Sequence, residues 1–471
     1  MRSALLAFFT LFTALAGVSA QLAPLEPEDG KLLFGAWYDR LKNDTPIAIN
    51  TRVGRPLSMF QSDINITETL QLPTQFIEQV DATNTDAILY LTVYPFWGFD
   101  RVTDVAIAEL ADVIGKETNK GRRVFLRYAS EMNGAWFRYG QQPAKFLASW
   151  RKVIPAVRAK AAPGMLAVVW APNSSNGYPF SGLEWSVTNT SADYRVLDTN
   201  KDGALNGLDD PYSPYYPGDD LVDWVGFSAY HYGRHDGPNS EYPWITNIDP
   251  KGDPVANMLE GKNFYGTFNL YTMFCEDGSG GGVQPPVSKG GKPFMLTETG
   301  ATFHIERIGS ALTPPRTGMV ALPPGPGRAS IKEKWWQQFM NSTFLTRFPK
   351  FKAACTFEFQ KFEEETLRDF TTLGPNPGTF DPRTMRPWNE DQPVLDRFKA
   401  DVPGYNFVVW SQATPNGLKP PAPVANNTNS NTNKGGDNKG TGHSAVAGAP
   451  KVVGGAGFVT LLAGLLAALF A

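Results

Sequence analysis

Between about Leu32 and Ala400 one pattern repeats: a short stretch rich in β-branched and aromatic residues, then a longer segment whose apolar residues have helical spacing. Alternation of this kind leaves few folds open, because it points to parallel strands joined by crossover helices. Eight such stretches can be picked out, at 34–39, 57–64, 87–98, 124–134, 165–173, 223–233, 293–301 and 352–360. Eight strands in α/β alternation predict a closed (β/α)8 TIM barrel, and a span of roughly 370 residues against the usual ~250 places long insertions in its loops. Those insertions fall at 176–221, 234–292 and 304–330. The intervening segments at 104–116, with Thr103 and Asp104 as cap candidates, and at 143–161, opened by Pro143, read best as helices. A doubly wound open sheet is the competing architecture, but no GxGxxG turn follows the first strand.

Composition narrows the function classes. Of 471 residues 42% are hydrophobic and 13% aromatic, which suits a large globular core. Lys+Arg 43 against Asp+Glu 46 gives a net charge of -3, so no basic excess exists to neutralise a phosphate backbone and no nucleic-acid partner is expected. Two cysteines are too few for a disulfide scaffold or an all-thiolate zinc site. His231 and His235 have metal-like spacing, but HYGRH lacks the glutamate of HExxH. GxSxG elbows and GxxxxGK[ST] loops are absent from the sequence.

The two ends read as addresses. A positive start, an apolar run from Leu5 to Val18 and the small residues Val18-Ser19-Ala20 predict a secretory signal peptide over 1–20. Secretion permits Cys275 and Cys355 to pair; two buried thiols are the alternative. Six sequons, at Asn43, Asn65, Asn173, Asn189, Asn341 and Asn426, are compatible with a glycosylating pathway. A catalytic domain is then expected over 24–410 and an Asn/Thr/Gly/Pro-rich flexible stalk over 411–451. Residues 452–471 carry no charge, and with small residues such as Gly442 and Ser444 upstream they fit a GPI attachment signal, with a single-pass anchor as the runner-up. The expectation is a secreted monomer held at the cell surface by a lipid anchor.

In a barrel, chemistry sits at the carboxyl ends of the strands. Glu131 ends VFLRYAS and Glu298 ends PFMLT, each before a turn with Gly and each among apolar and aromatic residues. Singly, such residues cap helices or salt-bridge to loops. As a pair they supply what acetal hydrolysis needs: a proton for the leaving oxygen and negative charge at the anomeric carbon, from carboxyl groups about 5 to 5.5 Å apart in a retaining enzyme. Trp97, Trp136, Tyr139, Trp170 and Tyr230 fall at or just beyond strand ends, where each is either core or a stacking platform for sugar.

The segment from Arg127 to Gly140, RYASEMNGAWFRYG, resembles the fourth-strand signature of glycoside hydrolase family 26, R-P-x-H-E-M-N-G-x-W. Residues 223–230 look like that family's sixth strand, which ends in an active-site Tyr, and 295–300 like its seventh, which ends in the nucleophile. The resemblance implies a retaining (β/α)8 enzyme acting on β-mannan, β-1,3-xylan or mixed-linkage β-glucan. It assigns Glu131 as acid/base, Glu298 as nucleophile and Tyr230 as the group orienting that nucleophile, with Arg127, Asn133 and Trp136 in support. Trp97 and Trp170 are further substrate-binding candidates. Ser130 stands where the family has a His that binds the sugar beside the cleavage point, and Phe357 and Phe359 stand where an aromatic on the eighth strand is usual. A non-catalytic surface carbohydrate-binding protein on the same barrel is the alternative, and a structural wall protein a third option; the presence of both glutamates favours the enzyme.

The insertion after the fifth strand holds DTNKDGALNGLD, 198–209. Asp198, Asn200, Asp202, Asn206 and Asp209 occupy loop positions 1, 3, 5, 9 and 12, with Gly203 at 6 and the Ala204 carbonyl at 7, the oxygen pattern of a Ca2+ loop. Asp209 in place of Glu makes it closer to dockerin-type loops. An Asn/Asp/Gly turn cluster is the plainer reading. A structural calcium ion pinning the insertion is the expectation.

Overall fold

A computed structural model describes residues 22–42, 44–233, 246–262, 268–278, 287–308, 319–363, 366–374 and 392–421. The expected signal peptide over 1–20, the sequons at Asn43 and Asn426, and the tail beyond 421 lie outside the described residues.

The eight apolar stretches all form strands. In chain order the strands are β1 (Leu32–Tyr38), β2 (Met59–Asn65), β3 (Ile88–Tyr94), β4 (Val124–Tyr128), β5 (Leu166–Trp170), β6 (Trp224–His231), β7 (Phe294–Ala301), β8 (Phe303–Ile308), β9 (Met319–Ala321), β10 (Phe351–Glu358), β11 (Gln360–Glu363), β12 (Thr366–Asp369) and β13 (Val408–Val409). β1 to β7 pair in sequence order, β7 pairs with β10, and β10 closes on β1 from Leu33↔Ala353 to Tyr38↔Glu358, all parallel. This is a (β/α)8 barrel. The strands are buried on both faces, as a parallel sheet wrapped in helices requires.

Two helices show why the crossovers form. Asp104–Asn119 starts behind Thr103, whose hydroxyl accepts from the Ala106 N–H at 3.2 Å, and buries Ile107, Leu110, Ala111 and Ile114. Pro143–Lys160 begins with proline at its first turn and buries Phe146, Trp150, Val153, Ile154 and Val157. Both match the expected positions.

Two regions depart from a plain barrel. β7 and β10 run on past the mouth into β8 and β11, and with β12 and β9 these make a four-stranded antiparallel sheet, order β11-β12-β8-β9. Part of what reads as insertion at 304–330 is therefore sheet. At the opposite end, residues expected to open the flexible stalk are bound to the barrel. Ser411 N–H donates to Pro56 O at 3.0 Å, Asp86 N–H to Gln412 O at 2.9 Å, and Thr414 N–H to Asn84 O at 2.7 Å. Residues 56, 84 and 86 precede β2 and β3, so 408–414 strap the face opposite the mouth. Cys275 and Cys355 are both buried free thiols, so they do not pair. Among the described residues no helix is long and apolar enough to cross a membrane.

Candidate active site

The EMNGAW segment owes its shape to a tight turn at the end of β4. Ala129 and Glu131 take left-handed backbone conformations, φ 48° and 55°, which non-glycine residues adopt only under constraint. The constraint is hydrogen bonding: Ala129 N–H donates to Val93 O at 2.9 Å, Glu131 N–H to Ala171 O at 2.8 Å, and Gly134 N–H to Glu131 O at 2.9 Å. Gly134 is required for a second reason. A methyl group there would lie 2.4 Å from the Trp136 ring, so only glycine lets the indole fold back over the turn. The Trp136 Nε1–H then donates to Glu131 Oε2 at 2.9 Å. Asn133 locks the same turn to the end of β5, accepting from Asn173 N–H at 2.7 Å and donating to Asn173 O at 2.9 Å.

Glu298 stands on β7 in different company. The fully buried Arg127 guanidinium pairs with Glu298 Oε1, and the Tyr230 hydroxyl donates to Oε2 at 2.8 Å. Arg127 Nη2 also donates to the Ser228 hydroxyl at 3.2 Å, and Ser228 lies close enough to the Glu131 carboxyl to favour its ionised form. Glu298, Arg127 and Ser228, brought from β7, β4 and β6, thus meet beside Glu131. Burial pushes the Glu131 carboxyl above the usual carboxylate range and the Glu298 charge pushes it further, against Arg127, Ser228 and Trp136. Each glutamate retains 8% exposure, so both open to the mouth.

Aromatic side chains wall the opening. Phe357, the β10 aromatic, lies 5.3 Å from Trp37 and 5.7 Å from Tyr230 between ring centroids, and Phe370 packs 5.3 Å from Tyr230. On the other side Trp136 meets Phe180 at 4.9 Å. Trp97 is 49% exposed in the loop after β3, free to stack on a ligand.

Other candidates do not reach the mouth. Trp170 is fully buried; its indole N–H donates to Tyr215 O at 3.0 Å and its ring packs on Tyr216 and Phe274. It fastens the 176–221 insertion to the barrel and is core, not a substrate platform. Tyr139 is likewise fully buried, bonded to Ser130 O at 2.6 Å. Ser130 is itself 0% exposed, so its hydroxyl offers nothing to a bound sugar.

Three residues in the mouth escaped the sequence reading. Asn173 Nδ2 donates to Glu131 Oε1 at 3.1 Å, which also makes this sequon a poor glycan acceptor; Asn189, exposed in its loop, is a better one. Ser228 shares the strand parity of Tyr230, a period-two signal that could have found it. Asp63 lies near the end of β2, and its proximity to Glu298 has no local sequence signal.

The 198–209 loop winds on itself. Asp198 Oδ2 accepts from Gly203 N–H at 3.0 Å, Asn200 Oδ1 from Asp202 N–H at 2.9 Å, Asp202 Oδ1 from Ala204 N–H at 2.8 Å and Asn206 Oδ1 from Leu208 N–H at 2.8 Å. Asp198 Oδ1 is buried without a hydrogen-bond partner. Asp209 differs: Oδ1 accepts from Thr199 N–H at 2.7 Å and Oδ2 from Asn206 N–H at 2.8 Å, so both its oxygens face backbone amides. Among the described residues no three His, Cys, Asp or Glu side chains gather as a metal-holding group.

Neither a protein-family model nor a curated protein matches the chain. Among solved structures it is similar to a modular endo-β-1,4-mannanase from Cellulomonas fimi, with 13% identity, 84% of this chain and 76% of that one covered, and a TM-score of 0.40. It is similar to GH26A from a Muricauda species at 14% identity, 81% and 92% coverage and a TM-score of 0.39. A Bacillus subtilis mannanase matches at 13% identity, 71% and 82% coverage and a TM-score of 0.37. The barrel is established by its own strand register, independently of these likenesses.

Proposed function

We propose that the chain is a retaining β-glycoside hydrolase that cleaves a β-linked polysaccharide by double displacement. The observation that carries this reading is the contrast between two carboxyl groups that share Arg127 and Ser228 as neighbours. Glu131, raised by burial and by its neighbour's charge, keeps a proton to give. Glu298, between the Arg127 guanidinium and the Tyr230 hydroxyl, is oriented to attack. Glu298 forms a bond to the anomeric carbon as Glu131 protonates the departing glycosidic oxygen; Glu131 then takes a proton from water, which displaces Glu298. Trp136 and Asn173 hold the Glu131 carboxyl in place through both steps.

The resemblance of the β4 segment makes β-mannan, β-1,3-xylan or β-glucan the substrate class, and the aromatic walls suit sugar faces. A pure binding protein has no use for a proton-holding glutamate beside an ion-paired one. Assaying Glu298→Ala against a polysaccharide panel tests the proposal: hydrolysis should vanish while binding stays measurable, and undiminished turnover would remove Glu298 from the role.

Secretion as a lipid-anchored monomer completes the proposal. The strap at 408–414 supports it in one respect, since the chain leaves the barrel from the face opposite the mouth, and an anchor beyond 421 would leave the cleft turned outward. Release of cell-surface protein by a phosphatidylinositol-specific phospholipase tests the anchor. Calcium is proposed only as a stabiliser of 198–209. The unpartnered Asp198 Oδ1 and the amide-bonded Asn200 and Asp202 suit a hard cation, with Asn206 and the Ala204 carbonyl, but Asp209 fits only if it turns from the backbone.

A further inference from the structure

The mouth holds a third carboxylate that the proposed double displacement does not use. Along β2 the side chains of Gln61 and Asp63 share one parity, and Gln61 Nε2 donates to Thr92 Oγ1 at 3.0 Å inside the barrel. Asp63, two residues nearer the carboxyl end, therefore enters the lumen at the mouth.

Its surroundings place it on the nucleophile side. Trp37 neighbours the Asp63 carboxyl and Arg40 Nη2 lies 3.8 Å from its Oδ1; burial pushes this carboxyl up, against the Arg40 charge. Trp37 in turn packs on Phe357 and Phe359, at 5.3 and 5.4 Å. Asp63 feels the charge of Glu298 across the opening, whereas Trp136, Asn173 and Phe180 wall the Glu131 side.

A carboxylate offers about four acceptor positions. Trp37 and the residue's own backbone N–H face some of them, and Arg40 stands beyond hydrogen-bond length. The Asp63 side chain keeps 20% exposure, enough for a ligand hydroxyl to reach the remaining lone pairs. A carboxyl group beside an indole near a rigid strand end is preorganised to hydrogen-bond neighbouring hydroxyls, and the arrangement it binds depends on the epimer and linkage presented.

We propose that Asp63 is a specificity-determining residue, accepting hydrogen bonds from sugar hydroxyls on the nucleophile side of the cleavage point. The assignment rests on the glycoside hydrolase reading and adds to it the group that chooses among β-glycans. Trp37 and Arg40 are its positioning residues.

The test is calorimetric binding of β-linked manno-, xylo- and gluco-hexaoses to the full chain carrying Glu298→Ala. Adding Asp63→Ala should weaken the best-bound hexaose by roughly 10- to 100-fold, the loss of one or two hydrogen bonds. Asp63→Asn, which keeps one acceptor, should lose less at an unchanged melting temperature, and the losses should differ among the three hexaoses. Unchanged affinity, or an equal loss on all three, overturns the proposal. Hydrolysis by the native chain is read separately. Asp63-dependent binding with no hydrolysis overturns the enzymatic reading and leaves Asp63 in place, whereas a parent chain that binds no hexaose overturns both.

Discussion

The barrel mouth and the 198–209 loop both concentrate acidic side chains, yet they spend them differently. At the mouth, Glu131 and Glu298 meet side chains from other strands and strand ends, Asn173, Arg127 and Tyr230, with Trp136 added at Glu131 from the same turn. In the loop, Asp198, Asp202 and Asp209 accept from backbone amides within eleven positions of themselves, as the bond from Thr199 to Asp209 spans 10 residues. Contacts made across the fold bring two carboxyl groups from different strands to one opening, while contacts within the loop set the course of the chain. The first arrangement can do chemistry and the second can brace a loop.

Substitutions sharpen that contrast. Glu131→Ala should lower kcat on polysaccharide by roughly 10²- to 10⁴-fold, the range of a lost general acid, with little change in melting temperature. A loss under tenfold would remove it from that role. Trp136→Phe keeps the ring and deletes the 2.9 Å hydrogen bond to Glu131, so kcat should fall about tenfold and the alkaline limb of kcat/KM should move; a rise in KM alone would make Trp136 a platform instead. Trp170→Ala makes the opposite case. It should cost about 3–5 kcal/mol of stability as a buried core deletion and leave substrate affinity per folded molecule unchanged.

A buried carboxyl behind the mouth gives a pH test. Glu358 Oε2 accepts from Thr372 and Leu373 N–H at 2.8 Å each, tying down the segment that carries Phe370. Burial nevertheless raises its pKa from 4.5 to about 7. A carboxyl raised on folding contributes fully at acid pH and loses that contribution as pH climbs through its folded value. Denaturant titrations should therefore show stability declining by about 3 kcal/mol between about pH 4.5 and pH 7, and Glu358→Gln should flatten the slope. A slope unchanged in that variant assigns it elsewhere. The smallest effect is in the loop: chelation should lower the melting temperature by about 2–4 °C without changing kcat, as expected for about 1 kcal/mol in a large domain, and no shift would leave 198–209 as a turn cluster.

Much of this was legible beforehand, for physical reasons. Parallel strands buried on both faces are unbroken apolar runs, so all eight barrel strands could be placed from their composition. EMNGAW announced its turn because Gly134 and Trp136 are needed together. The antiparallel sheet of β8, β9, β11 and β12 was not legible, since HIERI, QKFE and TLRD mix charge with apolar residues and depend on long-range partners, as β12 pairs with β8 from Thr366↔Arg307 to Asp369↔Phe303. Trp136 and Trp170 look alike in sequence. Their fates differ because an insertion distant in the chain brings Tyr215 and Tyr216 over Trp170, which no local pattern records. Asp63 stayed hidden for the same reason, its significance lying in the distance to Glu298 across the barrel.

The central claim is that Glu131 and Glu298 bracket one glycosidic bond at retaining separation. Proton NMR of a hydrolysis in progress tests it most directly, by the anomer of the first reducing end released. The account predicts the β-anomer first, with the α-anomer growing only by mutarotation, whereas α-anomer appearing first would contradict it.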